Sequence, residues 1–87
     1  MVNVIVNSKS LNTFLKSVLK NFDDGDLFEF ENGKLSCVFD SLDIEHKGSG
    51  FFAYSKSQLN SVNSYLDSVT ERPILLEFME GKIKIVI

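Results

Sequence analysis

An internal repeat is the feature that most narrows what this chain can fold into. Phe28-Glu29-Phe30-Glu31-Asn32-Gly33-Lys34-Leu35 aligns with Leu76-Glu77-Phe78-Met79-Glu80-Gly81-Lys82-Ile83, with glycine and lysine in register and the apolar positions in phase. Upstream, Ser8-Lys9-Ser10-Leu11-Asn12 aligns with Ser55-Lys56-Ser57-Gln58-Leu59-Asn60, with one residue inserted in the second copy. Val4-Ile5-Val6-Asn7 leads into the first match and Phe51-Phe52-Ala53-Tyr54 into the second. Common order and a nearly constant offset point to two equivalent halves, about 1–47 and 48–87. At 87 residues the chain has surface enough for one core, so the halves belong to a single domain.

Each half reads as strand, helix, hairpin. Val2, Val4 and Val6 alternate with Asn3 and Ile5, a branched-residue strand pattern. Ser8 offers a capping hydroxyl, and Leu11, Phe14, Leu15, Val18, Leu19 and Phe22 then form a continuous apolar helix stripe. Asp23-Asp24-Gly25-Asp26 ends that helix, and Asn32-Gly33 suits a tight type I′ turn between two strands whose Phe28 and Phe30 face the core. In the second half Ser55 or Ser57 caps a helix with the stripe Leu59, Val62, Leu66 and Val69, and Tyr65 at its margin. Arg72-Pro73 stops it, since proline lacks an amide hydrogen and pushes its predecessor towards extended backbone. Residues 74–79 and 82–87 close the domain as a hairpin, and 43–47 supply a linking strand before the flexible Gly48-Ser49-Gly50. The expectation is an α+β fold of about seven strands, with two helices on one face of an antiparallel sheet.

Composition excludes several classes. Hydrophobic residues at 44% and charged ones at 24% are those of a globular protein, and no apolar run reaches the roughly 20 residues a bilayer demands. No secretory leader opens the chain, so a cytoplasmic protein is expected, with no membrane partner. Cys37 alternates with Leu35 and Phe39 and is read as core; a lone cysteine and a lone histidine give no disulfide and no metal set. Neither His46 nor any acid sits in a catalytic pattern, Asp23, Asp24 and Asp26 lack the spacing of a calcium loop, and no cofactor motif is present. The chain is therefore read as non-enzymatic, with His46 a surface residue. The net charge is −3, but residues 1–22 carry Lys9, Lys16 and Lys20 with no acid.

The run Gly33-Lys34-Leu35, Asp40-Ser41-Leu42-Asp43-Ile44, then Arg72-Pro73-Ile74-Leu75-Leu76-Glu77-Phe78 and Glu80-Gly81-Lys82-Ile83 resembles one domain of the bacterial DNA sliding clamp, the β subunit of the replicative polymerase. The resemblance spans nearly the whole chain through packing and turn residues. It implies a clamp-like fold of two pseudo-two-fold-related strand-helix-hairpin repeats, and a processivity or DNA-tethering role by oligomeric ring assembly. A ring would take about six copies of a single domain, closed by symmetry. By the same resemblance the helix faces meet double-stranded DNA without reading sequence, which assigns Lys9, Lys16, Lys20, Lys56, Asn60 and Asn63 to that surface, with Asp67 offsetting Lys56. Against the family pattern the last strand is absent, which leaves Ile85, Val86 and Ile87 at an open edge for assembly. The alternative expectation is a clamp-like interaction module or mimic that binds replication or transcription proteins without encircling DNA.

Overall fold

A computed structural model describes residues 1–86. Within them lie β1 (Val2–Asn7), α1 (Ser8–Leu19), β2 (Leu27–Glu31), β3 (Lys34–Cys37), β4 (Asp40–Asp43), β5 (Glu45–Lys47), β6 (Gly50–Ala53), α2 (Lys56–Asp67), β7 (Pro73–Met79) and β8 (Lys82–Val86). The expected α+β class holds, but the strands form two four-stranded sheets in place of one: β5-β1-β7-β8 and β4-β3-β2-β6. Every pairing is antiparallel. The first strand of each half leaves its own hairpin and joins the other's, β1 beside β7 and β6 beside β2. Neither half can thus complete a sheet alone, and closure of the domain requires contacts far apart in sequence.

Alternation decides which face each strand buries. Val2, Val4 and Val6 point inward from β1, Phe28 and Phe30 from β2, Leu35 and Cys37 from β3, and Ile74, Leu76 and Phe78 from β7; all are buried. They meet Leu11, Phe14, Leu15 and Val18 of α1 and Leu59 and Leu66 of α2 in one cluster. Phe28 lies at its centre, edge-on to Phe14, Phe22 and Tyr54 with centroids 6.5, 6.2 and 5.8 Å away, the arrangement aromatic quadrupoles prefer. Phe22 is buried as expected, although α1 ends at Leu19.

Local chemistry corrects three sequence readings. The cap of α1 is Asn7, whose Oδ1 accepts from Ser10 N at 3.0 Å. Ser8, expected there, is buried: its Oγ accepts from Arg72 N at 3.0 Å and lies 3.3 Å from Thr70 O, tying the helix start to the loop before β7. Cys37 is core, but Phe39 is not; β3 stops at Cys37, Val38 turns at φ 57°, and Phe39 stands 98% exposed on the hairpin tip. A β-branched residue in that region is strained, so no propensity rule anticipates the turn. One strand was expected over residues 43–47, but residues 40–47 form two: β4 edges one sheet and β5 the other, with Ile44 between them.

Other signals behave as their chemistry dictates. Asn32 and Gly33 both have positive φ, 54° and 76°, as a type I′ turn requires. Ser55 caps α2 in a full capping box with Gln58. The end of that helix, by contrast, is not set by Arg72-Pro73: α2 stops at Asp67, which leaves Val69 of the expected stripe outside it, and Pro73 begins β7. Ile87, the last of the expected edge residues, lies outside the described residues.

Candidate functional site

The two helices lie side by side and run in opposite directions. Asp67 at the end of α2 meets Lys16 and Asn12 of α1, Nζ and Nδ2 each 2.9 Å from its Oδ1. At the other end, Lys56 N donates to Asp24 Oδ1 at 2.8 Å. The hydrogen bond from Lys16, with a smaller contribution from Asn12, holds the Asp67 carboxyl below the usual carboxylate range. The pair is open to solvent, with side-chain exposures of 55% and 52%, so it orients the helices more than it stabilises them.

This arrangement sorts the residues assigned to the helix face. Lys9, Lys16 and Lys20 share one side of α1 and are exposed, as are Lys56 and Asn60 on α2. Lys16 carries a counter-charge, and it is Lys16, not Lys56, that Asp67 offsets. Among the described residues Lys9, Lys20 and Lys56 make no ion pair. Lys20 and Lys56 lie towards the same end of the helix pair, since α1 finishes where α2 begins. Asn63 is half-buried, and its Oδ1 is enclosed with no hydrogen-bond partner, as is that of Asn12. Asn63 therefore belongs to the inner side of the helix pair more than to its open face.

Two of the three acids in the loop after α1 accept from backbone amides. Asp26 Oδ2 accepts from Asp23 N at 2.9 Å, and Asp24 takes the Lys56 amide. Among the described residues no group of three or more His, Cys, Asp or Glu side chains is placed to hold a metal ion. A hollow of about 740 Å³ lies at the seam of the two sheets beside Ile5, Ser10, Lys34, Leu42, Asp43 and Glu45. Its lysine is spent on its aspartate, Lys34 Nζ to Asp43 Oδ1 at 2.7 Å.

His46 is not the surface residue that sequence suggests. It is half-buried on β5, where Nε2 accepts from Gly33 N at 2.9 Å and Nδ1 lies 2.7 Å from Gly48 O. Those partners fix the tautomer with the proton on Nδ1. A second bond in the same place runs from Ile44 N to Gly33 O at 2.9 Å. The β2–β3 turn of one sheet is thus fastened to the edge strand of the other, a long-range contact that no local pattern announces.

On the far side, among the described residues β8 pairs only with β7, at the end of its sheet's strand order. Ile85 and Val86 are half-buried there, and Lys82 and Lys84 are exposed. Tyr54, buried in the core, donates its hydroxyl to Met79 O at 2.7 Å, and Gln58 Nε2 donates to Gly81 O at 2.9 Å. The β7–β8 turn is therefore held from two sides. Burial raises the Tyr54 hydroxyl to about 12.

No family model, curated protein or solved structure matches this chain.

Proposed function

We propose that the chain is a clamp-like, non-enzymatic domain that assembles through its sheet edges and tethers protein to double-stranded DNA. The supporting observation is the exchange of first strands between the halves: β1-β7-β8 has the same order of elements as β6-β2-β3, and the two helices run antiparallel beside one another. A pseudo-two-fold module of that kind resembles one domain of a bacterial sliding clamp. Its helix pair offers Lys9, Lys20 and Lys56 to a phosphate backbone, and contacts of this sort position a duplex without reading bases. One copy is a weak polycation within a chain of net charge −3, so binding draws on several copies at once.

The test is the double charge reversal Lys9→Glu, Lys20→Glu. Both side chains are exposed and unpaired among the described residues, so the fold is expected to survive. Affinity for duplex DNA should fall in the variant. The slope of log affinity against log salt should flatten by about 0.9 for each phosphate that the assembled particle no longer neutralises. Equal affinity and equal salt slope for the two proteins would refute the DNA-facing assignment.

A second reading is favoured by the Lys16–Asp67 pair, which neutralises the middle of the helix face. On that reading the domain docks protein partners of replication or transcription through an open sheet edge, and DNA plays no part.

A further inference from the structure

Strand β8 has no neighbour on its outer side among the described residues, so its outward amide and carbonyl groups form a ready template for a further strand. Helix α2 leaves apolar surface beneath that edge incompletely covered. Val62, Ile83 and Ile85 are half-buried, Tyr65 is 38% exposed, and a hollow of about 240 Å³ opens between Ser57, Gln58, Ser61, Val62 and Ile83. A large aliphatic side chain fits there.

The other sheet shows how such an edge is completed. There β3 begins Lys34-Leu35 after Gly33, as β8 begins Lys82-Ile83 after Gly81. Strand β4 covers β3 with Leu42 opposite Leu35 and Asp43 opposite Lys34, the last two joined at 2.7 Å. Leu42 packs on the core, and Ser17 of α1 donates to Asp40 at 3.1 Å. At the Gly-Lys-aliphatic start of that edge the molecule's own solution is thus an acid outside against Lys34 and an aliphatic inside against Leu35, while farther along Ser41 faces Ser36 and Asp40 faces the inward Cys37.

We propose that the β8 edge docks an extended segment of a protein partner, added antiparallel, in which aliphatic residues alternate with Asp or Glu. Read from the partner's N-terminal side, an aliphatic residue lies opposite Ile85, an acid opposite Lys84, an aliphatic residue opposite Ile83 and an acid opposite Lys82. The aliphatic side chains cover Ile83, Ile85 and the hollow beside Val62, while the acids meet two exposed lysines on the outer face. Lys84 already faces Glu77 across β7, so Lys82, opposite Met79, is the stronger determinant. Main-chain bonds supply affinity and alternate side chains supply selectivity, as in other cases of strand addition. A second copy of β8 is a poor occupant, because the full-length antiparallel register places Lys84 against Lys84. The inference rests on the equivalence of the two halves and on the protein-docking reading, and is independent of DNA.

Two labelled synthetic peptides, one with an Ile-Glu-Ile-Glu-Ile core and one with an Ile-Lys-Ile-Lys-Ile core, are titrated with the full chain in DNA-free buffer. Fluorescence anisotropy reads affinity and amide NMR reads location. The glutamate peptide is expected to bind about tenfold or more tightly than the lysine peptide, with shifts at residues 82–86 and at Val62 and Tyr65. The exposed-site variant Lys82→Glu, Lys84→Glu should reverse that preference, while Lys9→Glu, Lys20→Glu should leave it unchanged. Equal affinities, no binding at about 1 mM, or shifts that map away from β8 would overturn the proposal. Because no nucleic acid is present, failure of the DNA reading leaves this result intact.

Discussion

Replacing His46 with alanine removes the fastening between the two sheets, and its cost follows from what is left behind. Nε2 is the acceptor for Gly33 N at 2.9 Å, and Nδ1 satisfies Gly48 O at 2.7 Å. Gly33 is half-buried, so its orphaned N–H regains only part of its hydration; that costs about 1–2 kcal/mol, towards the lower end of the range for a stranded donor. Gly48 is exposed and recovers water, so its broken bond adds about 0.5 kcal/mol. The expected loss is about 2 kcal/mol, against a total of about 4–13 kcal/mol for a domain of this length. With a urea slope of roughly 1 kcal/mol per molar, the midpoint should fall by about 2 M at unchanged slope. Hydrogen exchange supplies the local check: the Gly33 amide and the β1–β5 ladder of residues 3–5 and 45–47 should open ahead of the core. His46→Gln, which keeps an acceptor, should recover part of the loss. A midpoint within about 0.3 M of the parent, with Gly33 still protected, would show that the imidazole is incidental to the junction.

Three further outcomes are expected. Ser8→Ala strands the Arg72 amide beneath the start of α1, with an expected cost of about 1–3 kcal/mol in urea unfolding; a loss below about 0.5 kcal/mol would mean that the loop rearranges. The Cys37 thiol is pushed up to about 12, first by burial and then by Asp26 and Asp40, and Tyr54 to about 12 by burial. Both groups hold their protons in the folded state above the pH at which the unfolded chain releases them. Their contribution is thus complete below about pH 8.5 and declines as pH rises from there towards 12; urea midpoints that stay flat between those limits would contradict it. Over the same range up to pH 9 the native thiol should resist alkylation and become reactive on unfolding. Asp67→Asn frees Lys16 and makes the helix face more positive by one charge, so duplex affinity should rise at low salt; unchanged affinity would place DNA away from this face.

Most of the fold is legible in the sequence because it depends on periodicity and punctuation. Valine alternation in β1, the Leu11 to Val18 stripe, the Asn32-Gly33 turn and the Ser55 cap each carry their cause within a few residues. What escapes depends on distant partners. Asn7 displaces Ser8 as cap because Ser8 is drawn inward by Arg72, 64 positions away. Phe39 reads as core because alternation continues on paper through Val38, where the backbone turns at positive φ. Residues 40–47 divide between two sheets because Ile44 is bound to Gly33, which leaves β4 on one edge and β5 on another. At the candidate site, helical spacing alone groups Lys9, Lys16 and Lys20. It does not show that Asp67 of the other helix reaches Lys16, or that Asn63 is half-buried with its Oδ1 enclosed.

Retention on closed DNA tests the central reading most directly. The protein is mixed with a nicked circular duplex at physiological ionic strength, passed over a sizing column, and compared with the same DNA after one restriction cut. A clamp-like assembly predicts sedimentation as an oligomer and co-elution with the circle, with release on linearisation as the ring slides off the ends. A monomer at every concentration, or equal retention on circular and linear DNA, would contradict it.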